Sequence, residues 1–113
     1  MPGDDFGFSI ALSSKYMIIG APGYNNGHGI AFLYKKNNEK WELSNTFENP
    51  IPNNASGTPH KFGYNVSITD LYVSISSPFY NDGLVHVYNL DNLDNSKSFN
   101  KPFHSIDVRR LGD

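Results

Sequence analysis

Apolar and polar positions alternate with a period of two through much of this chain. Phe6, Phe8, Ile10 and Leu12 alternate with Gly7, Ser9, Ala11 and Ser13, which gives an extended segment one bulky face and one small face. The arrangement returns as Phe62, Tyr64, Val66 and Ile68 against Gly63, Asn65, Ser67 and Thr69. A strand of this kind is expected to pack closely on both sides. Residues 16–21 and 72–77 follow as β-branched and aromatic runs, closed by Pro22 and Pro78, which cannot donate to a ladder. The turns "GYNNGHG" and "FYNDG" then lead into third strands "IAFLY" and "LVHVY". In "WELSNTFE" the alternation sets Trp41, Leu43 and Phe47 on one face and Glu42, Ser44, Thr46 and Glu48 on the other, the pattern of a half-exposed outer strand. The fourth strand of the second half is expected within residues 99–108, after the loop "NLDNLDNSKS". No 3.6-residue period survives anywhere, so no substantial helix is predicted.

The chain therefore writes one pattern twice. Aligning 6–26 with 62–82, and 29–34 with 83–88, gives nine identities in 27 positions, with a two-residue shift absorbed between Gly27 and Gly29. Each copy reads as a four-stranded antiparallel meander of about 56 residues, the size of a propeller blade. The predicted organisation is all-β, with one blade over 1–58 and a second over 59–113. Gly112-Asp113 stands where Gly3-Asp4 opens the first copy, so the chain reads as two repeats cut in register before a third. Two blades alone leave apolar faces uncovered, and further blades are the implied partners, in the same chain or by self-assembly.

Phe6-Gly7 followed by Gly20-Ala21-Pro22 resembles the FG-GAP repeat of integrin α-subunit propellers and of many bacterial surface proteins. Phe62-Gly63 followed by Ser76-Ser77-Pro78 resembles a degenerate second example. The resemblance implies a β-propeller of about seven blades and a non-enzymatic, extracellular or cell-surface role in adhesion or protein recognition. A lectin-like carbohydrate-binding propeller, and an accessory propeller attached to an enzyme, are the alternatives. In integrin-type repeats a calcium loop lies between the two parts of the motif. Here that place holds Ser13-Ser14-Lys15 and Thr69-Asp70-Leu71, one carboxylate in two turns, too few for a hard cation. No metal and no cofactor is therefore expected.

Charge narrows the partners. The formal net charge is −2 and the nine Lys and Arg are scattered, which argues against nucleic acid. No apolar run approaches a membrane span, and no secretory leader is visible in these residues. Cysteine is absent, excluding disulfides and thiolate metal sites. The candidate binding residues are Tyr24, Asn25 and Asn26 with their counterparts Tyr80, Asn81 and Asp82, because equivalent loops of successive blades emerge on one rim. Aromatic rings beside hydrogen-bonding groups suit a protein hot spot or a sugar face, although Asn and Gly also simply supply positive φ for turns. Asp91, Asp94 and Asn95 read as a solvated loop. "GFSIA" partly resembles a nucleophile elbow, but Ser9 lies in an alternating strand and no catalytic residue is assigned. His86 replaces Phe32 and is expected to be a hydrogen-bonded core side chain. His28, His60 and His104 show no spacing that would bring them together. Of two glycosylation sequons, Asn54 lies in a credible loop and Asn65 on a strand.

Overall fold

A computed structural model of the chain describes residues 3–51, 59–78 and 83–90, together with the backbone of two short strands at 98–99 and 104–107. Four strands run in sequence through the first half: β1 (Ser9–Leu12), β2 (Tyr16–Ala21), β3 (Ile30–Asn37) and β4 (Lys40–Glu48). The second half supplies β5 (Val66–Ile68), β6 (Tyr72–Ser77), β7 (Leu84–Asn89), β8 (Ser98–Phe99) and β9 (His104–Asp107). They build two sheets, in the orders β1-β2-β3-β4-β8 and β5-β6-β7-β9. All pairings are antiparallel except β4 with β8. The fourth strand of the second sheet is β9, inside the expected 99–108. Strand β8 departs from the simple meander: it crosses back and lies parallel on the outer edge of the first sheet, Thr46 opposite Ser98 and Phe47 opposite Phe99. That covers backbone groups an edge strand otherwise leaves open.

The repeat is written into the hydrogen bonds. Gly7 N–H donates to Gly20 O at 3.2 Å and its counterpart Gly63 N–H donates to Ser76 O at 3.0 Å. Phe8 N–H reaches Asp5 O as Tyr64 N–H reaches Lys61 O, and Lys36 N–H reaches Lys15 O as Leu90 N–H reaches Leu71 O. The β1–β2 and β5–β6 turns match as well, with Ser13 N–H to Tyr16 O and Thr69 N–H to Tyr72 O, both 2.8 Å. Hydroxyls of Ser13 and Thr69 accept from the N–H of Tyr16 and Tyr72 in turn, a local satisfaction of turn donors that these residue types favour. The rings repeat too. Phe6 lies 5.4 Å from Phe32, and Phe62 lies 5.5 Å from His86, which stands in Phe32's place.

The core lies between the two sheets. Ile18, Ala31, Leu33 and Phe47 of the first pack against Phe62, Val73, Ile75, Tyr88 and Leu90 of the second, and the Phe47 and Tyr88 rings meet at 4.5 Å. The first sheet turns its small face inward, with Ser9 and Ala11 half-buried. The second turns its bulky face inward, burying Phe62 completely. The expectation that β1 packs on both sides is corrected: Phe6, Phe8, Ile10 and Leu12 are all more than half exposed, because among the described residues no sheet stands on that side of β1.

The face assignment of β4 is also corrected. Leu43 pairs with Tyr34 and Asn45 with Leu33, leaving Ser44 as an extra residue at a bulge. The bulge reverses the alternation, so Leu43 shares the side of Tyr34 whereas Phe47, opposite Ala31, joins the core. Trp41 and Leu43 are exposed.

Glycine lets the sheets meet. A Cβ built on Gly20 falls 2.0 Å from Gly63 O and 2.6 Å from Ser9 Oγ, and one built on Gly29 falls 2.1 Å from Phe62 O. Ser9 Oγ donates across the gap to Gly63 O at 2.9 Å. The glycine of the Gly-Ala-Pro segment and the glycine of the next Phe-Gly are thus one crossing point seen from its two sides. In the second sheet Ser76 occupies the place of Gly20, and its Oγ accepts from Asn65 N–H at 3.0 Å.

Gly20→Ala is expected to destabilise at the upper end of the ~1–3 kcal/mol range for overpacking. Gly7→Ala, whose added carbon meets nothing within 4 Å but sits at φ +87°, is expected to cost about 1–2 kcal/mol through left-handed strain alone. Urea unfolding of both variants checks the order.

Candidate functional site

The rim turn between β2 and β3 is built by its asparagines. Residues Tyr24–Gly27 close one short helical turn, but Asn25 (φ 54°, ψ 55°) and Asn26 (φ 58°, ψ 36°) are left-handed, the conformation Asn tolerates better than most side chains. Gly27 N–H bonds Gly23 O, and Gly29 N–H bonds Tyr24 O. Turn chemistry therefore accounts for the two asparagines. It does not account for Tyr24, whose side chain stands 41% exposed.

Tyr24, Asn25 and Asn26 line a rim cleft of about 640 Å³, opposite Asp4, Asp5 and Lys61. Four non-glycine residues around it hold positive φ: Asp5, Asn25, Asn26 and Lys61. Such conformations persist where surrounding bonds over-determine them. Gly23 N–H donates to Asp4 O, and Lys61 N–H to Gly27 O, so both walls are pinned to the turn. The cleft thus offers one exposed ring, two amides, two carboxylates and an ammonium, a mixed set suited to polar recognition. The expected partners of this row, Tyr80, Asn81 and Asp82, lie outside the described residues, as do Asn54 and the Asp91, Asp94 and Asn95 loop. Asn65 is exposed, on the uncovered small face of the second sheet.

The turns at the opposite end of β1 and β2 are coupled. Ser14 Oγ donates to Asp70 Oδ2 at 2.6 Å, between residues 56 apart. The Ser14 hydroxyl, with Ser13 and the Lys15 backbone beside it, holds the Asp70 carboxyl below the usual carboxylate range. The single carboxylate of the two turns is thereby engaged in fastening one blade to the next. Among the described residues no group of three or more His, Asp or Glu side chains is placed to hold a metal ion. Ser9 is in β1 with its hydroxyl on Gly63 O, so the strand–turn–helix of a nucleophile elbow is absent there.

The histidines with described side chains divide into two environments. His86 is fully buried, with Nε2 3.3 Å from Ser77 Oγ. The pair stands in the places of Phe32 and Ala21, and burial pushes the imidazole down to about 4. His28 and His60, which no sequence spacing joined, lie with ring centres 5.4 Å apart. Asn49 Nδ2 is 3.1 Å from His60 Nδ1, 3.5 Å from His28 Nδ1, and donates to His28 O at 2.9 Å. Burial lowers the pKa of both rings; at His28 the neighbouring His60 adds to it and Glu48 opposes it. No local pattern in the sequence announces this meeting, which follows from the pairing of the Gly29 and Phe62 backbones, an isolated bridge between the sheets.

Residues 1–34 match the family model described as FG-GAP repeat. The first blade carries that repeat. FG-GAP repeats form β-propeller blades, and both sheets here are of that kind. The matched stretch contains the Phe-Gly, the Gly-Ala-Pro and the rim turn with Tyr24. The second sheet reproduces the hydrogen bonds of the FG-GAP blade although Ser76-Ser77 replaces Gly-Ala. No curated protein matches the chain.

His86 fixes a pH dependence. Its folded-state value lies below the ordinary imidazole value of 6.5, so the fold favours the neutral ring. The stability it contributes is complete above about pH 6.5 and is lost as pH falls toward 4. His86→Phe, restoring the aromatic pair of the first blade, is expected to flatten the fall in melting temperature over that window. Thermal unfolding followed by circular dichroism from pH 7.5 to 4 checks it.

Proposed function

We propose that this chain is a non-enzymatic binding segment of an extracellular or cell-surface FG-GAP propeller, recognising a protein partner through its rim. The reading is supported by the FG-GAP match over residues 1–34 and carried by Tyr24, an exposed ring at the mouth of a cleft furnished with Asp4, Asp5, Asn25, Asn26 and Lys61. Exposed tyrosine among adaptable polar groups is the composition of protein hot spots. The same ring beside amides and carboxylates favours a saccharide as the second reading.

The partners within the propeller are further blades. The first blade presents Phe6, Phe8, Ile10 and Leu12, and the equivalent row of the second blade is the one its neighbour covers. A further blade, supplied by the same chain or by another copy, fits that row. The blade limits are 1–58 and 59–113 in this reading, with β8 as the strand that the second half lends to the first sheet.

Binding is tested by probing an array of secreted and cell-surface proteins, and in parallel a glycan array, with the labelled chain. Tyr24→Ala is expected to weaken the captured protein by roughly 30-fold, the ~2 kcal/mol of a hot spot. Signal on glycans alone overturns the protein reading in favour of the saccharide one, and an unchanged affinity for Tyr24→Ala removes the rim. Light scattering tests the apolar row: mass that rises with concentration for the parent chain and stays at a single chain for Ile10→Lys is expected.

A further inference from the structure

The segment that carries the chain into the second blade meets the first through its backbone. Lys61 N–H donates to Gly27 O at 2.6 Å and Phe62 N–H to His28 O at 3.4 Å. Around them lie His28 from the rim turn, Asn49 from the end of β4, and His60 from the segment itself. His60 is 2% and Asn49 7% exposed.

The orientation of the Asn49 amide is fixed by a partner that can only donate. Ile51 N–H bonds Asn49 Oδ1 at 2.9 Å, so Nδ2 is the atom that faces the imidazoles. Nδ2 carries only hydrogens toward them, and His60 Nδ1, 3.1 Å away, must accept. A neutral ring does so. A protonated ring presents N–H against N–H, and this bond turns into a repulsion.

We propose that His28, Asn49 and His60 form a proton-sensitive clasp, which fastens the leading segment of the second blade to the first at neutral pH and releases it in mildly acidic solution. Charging both rings places two cations at 5.4 Å in a poorly solvated seam. Among the described residues, the other titratable groups facing the seam are Glu48 beside Asn49, Tyr24 across the small pocket that His28 shares with Glu48, Lys61 next to His60, and Asp4 and Asp5 across the rim cleft. Glu48 is a counter-charge that favours His28 protonation. Burial outweighs it at His28 and lowers His60 as well. The sign follows: both rings lie below the ordinary value of 6.5 in the fold, so the fastening is complete above about pH 6.5 and weakens as pH falls through the lowered values. The device is independent of what the rim binds, although Lys61 lines the same cleft, so release also moves one wall of it.

Amide hydrogen exchange on the intact chain at pH 7.5 and 5.5, corrected for the intrinsic pH dependence of exchange, tests the clasp. Gly63 N–H is the internal reference, since its bond to Ser76 lies within the second blade. Lys61 and Phe62 are expected to lose protection about tenfold at pH 5.5, equivalent to about 1.4 kcal/mol, while Gly63 keeps its own. Equal protection of Lys61 and Phe62 at both pH values overturns the proposal. Joint loss at all three amides also overturns it, because that is the acid unfolding caused by His86. His60→Asn supplies an uncharged acceptor and is expected to abolish the response, and a response that persists in that variant assigns the effect elsewhere.

Discussion

Two glycines facing each other across the seam between the sheets set the conditions for everything else in this molecule. Gly20 and Gly63 bring backbone against backbone, closer than any side chain allows. That approach lets the small face of one blade cover the bulky face of the next, and it places Ser9 within reach of Gly63 O. The Phe-Gly and Gly-Ala-Pro elements lie far apart in sequence, yet they are two halves of one contact. Phe62 is buried because Gly63 follows it into the seam.

Much of this architecture is legible from alternation. The period-two rows of β1 and β5, the prolines that end β2 and β6, and the repetition 56 residues later lead to two antiparallel sheets from the sequence alone. Alternation identifies a bulky face, but not whether anything stands against it, so Ile10 and Val66 read alike and end in opposite circumstances. A single unpaired residue, Ser44, is enough to move Leu43 and Phe47 to different sides. Bulges carry no reliable signature in a strand of mixed polarity.

The candidate cleft is legible in part for the same reason. Local chemistry pointed to Tyr24, Asn25 and Asn26, because left-handed turns draw asparagine and an unneeded tyrosine stands out among them. Asp4, Asp5 and Lys61 complete the cleft from elsewhere in the chain. His28, Asn49 and His60 come together only through the meeting of Gly29 with Phe62, a contact that belongs to the stacking of blades and to no strand by itself. Asp70 shows the converse. Sequence reading treats it only as one carboxylate too few for a cation loop, and the structure has it tie a neighbouring turn.

Ser76 occupies in the second blade the place that Gly20 holds in the first. Its side chain adds a carbon where the first crossing had none, so a sheet arriving on that side must stand farther out. At Gly20 a carbon in this place would collide with the facing backbone, so the contact of main chain with main chain made at the first crossing is one that Ser76 cannot repeat.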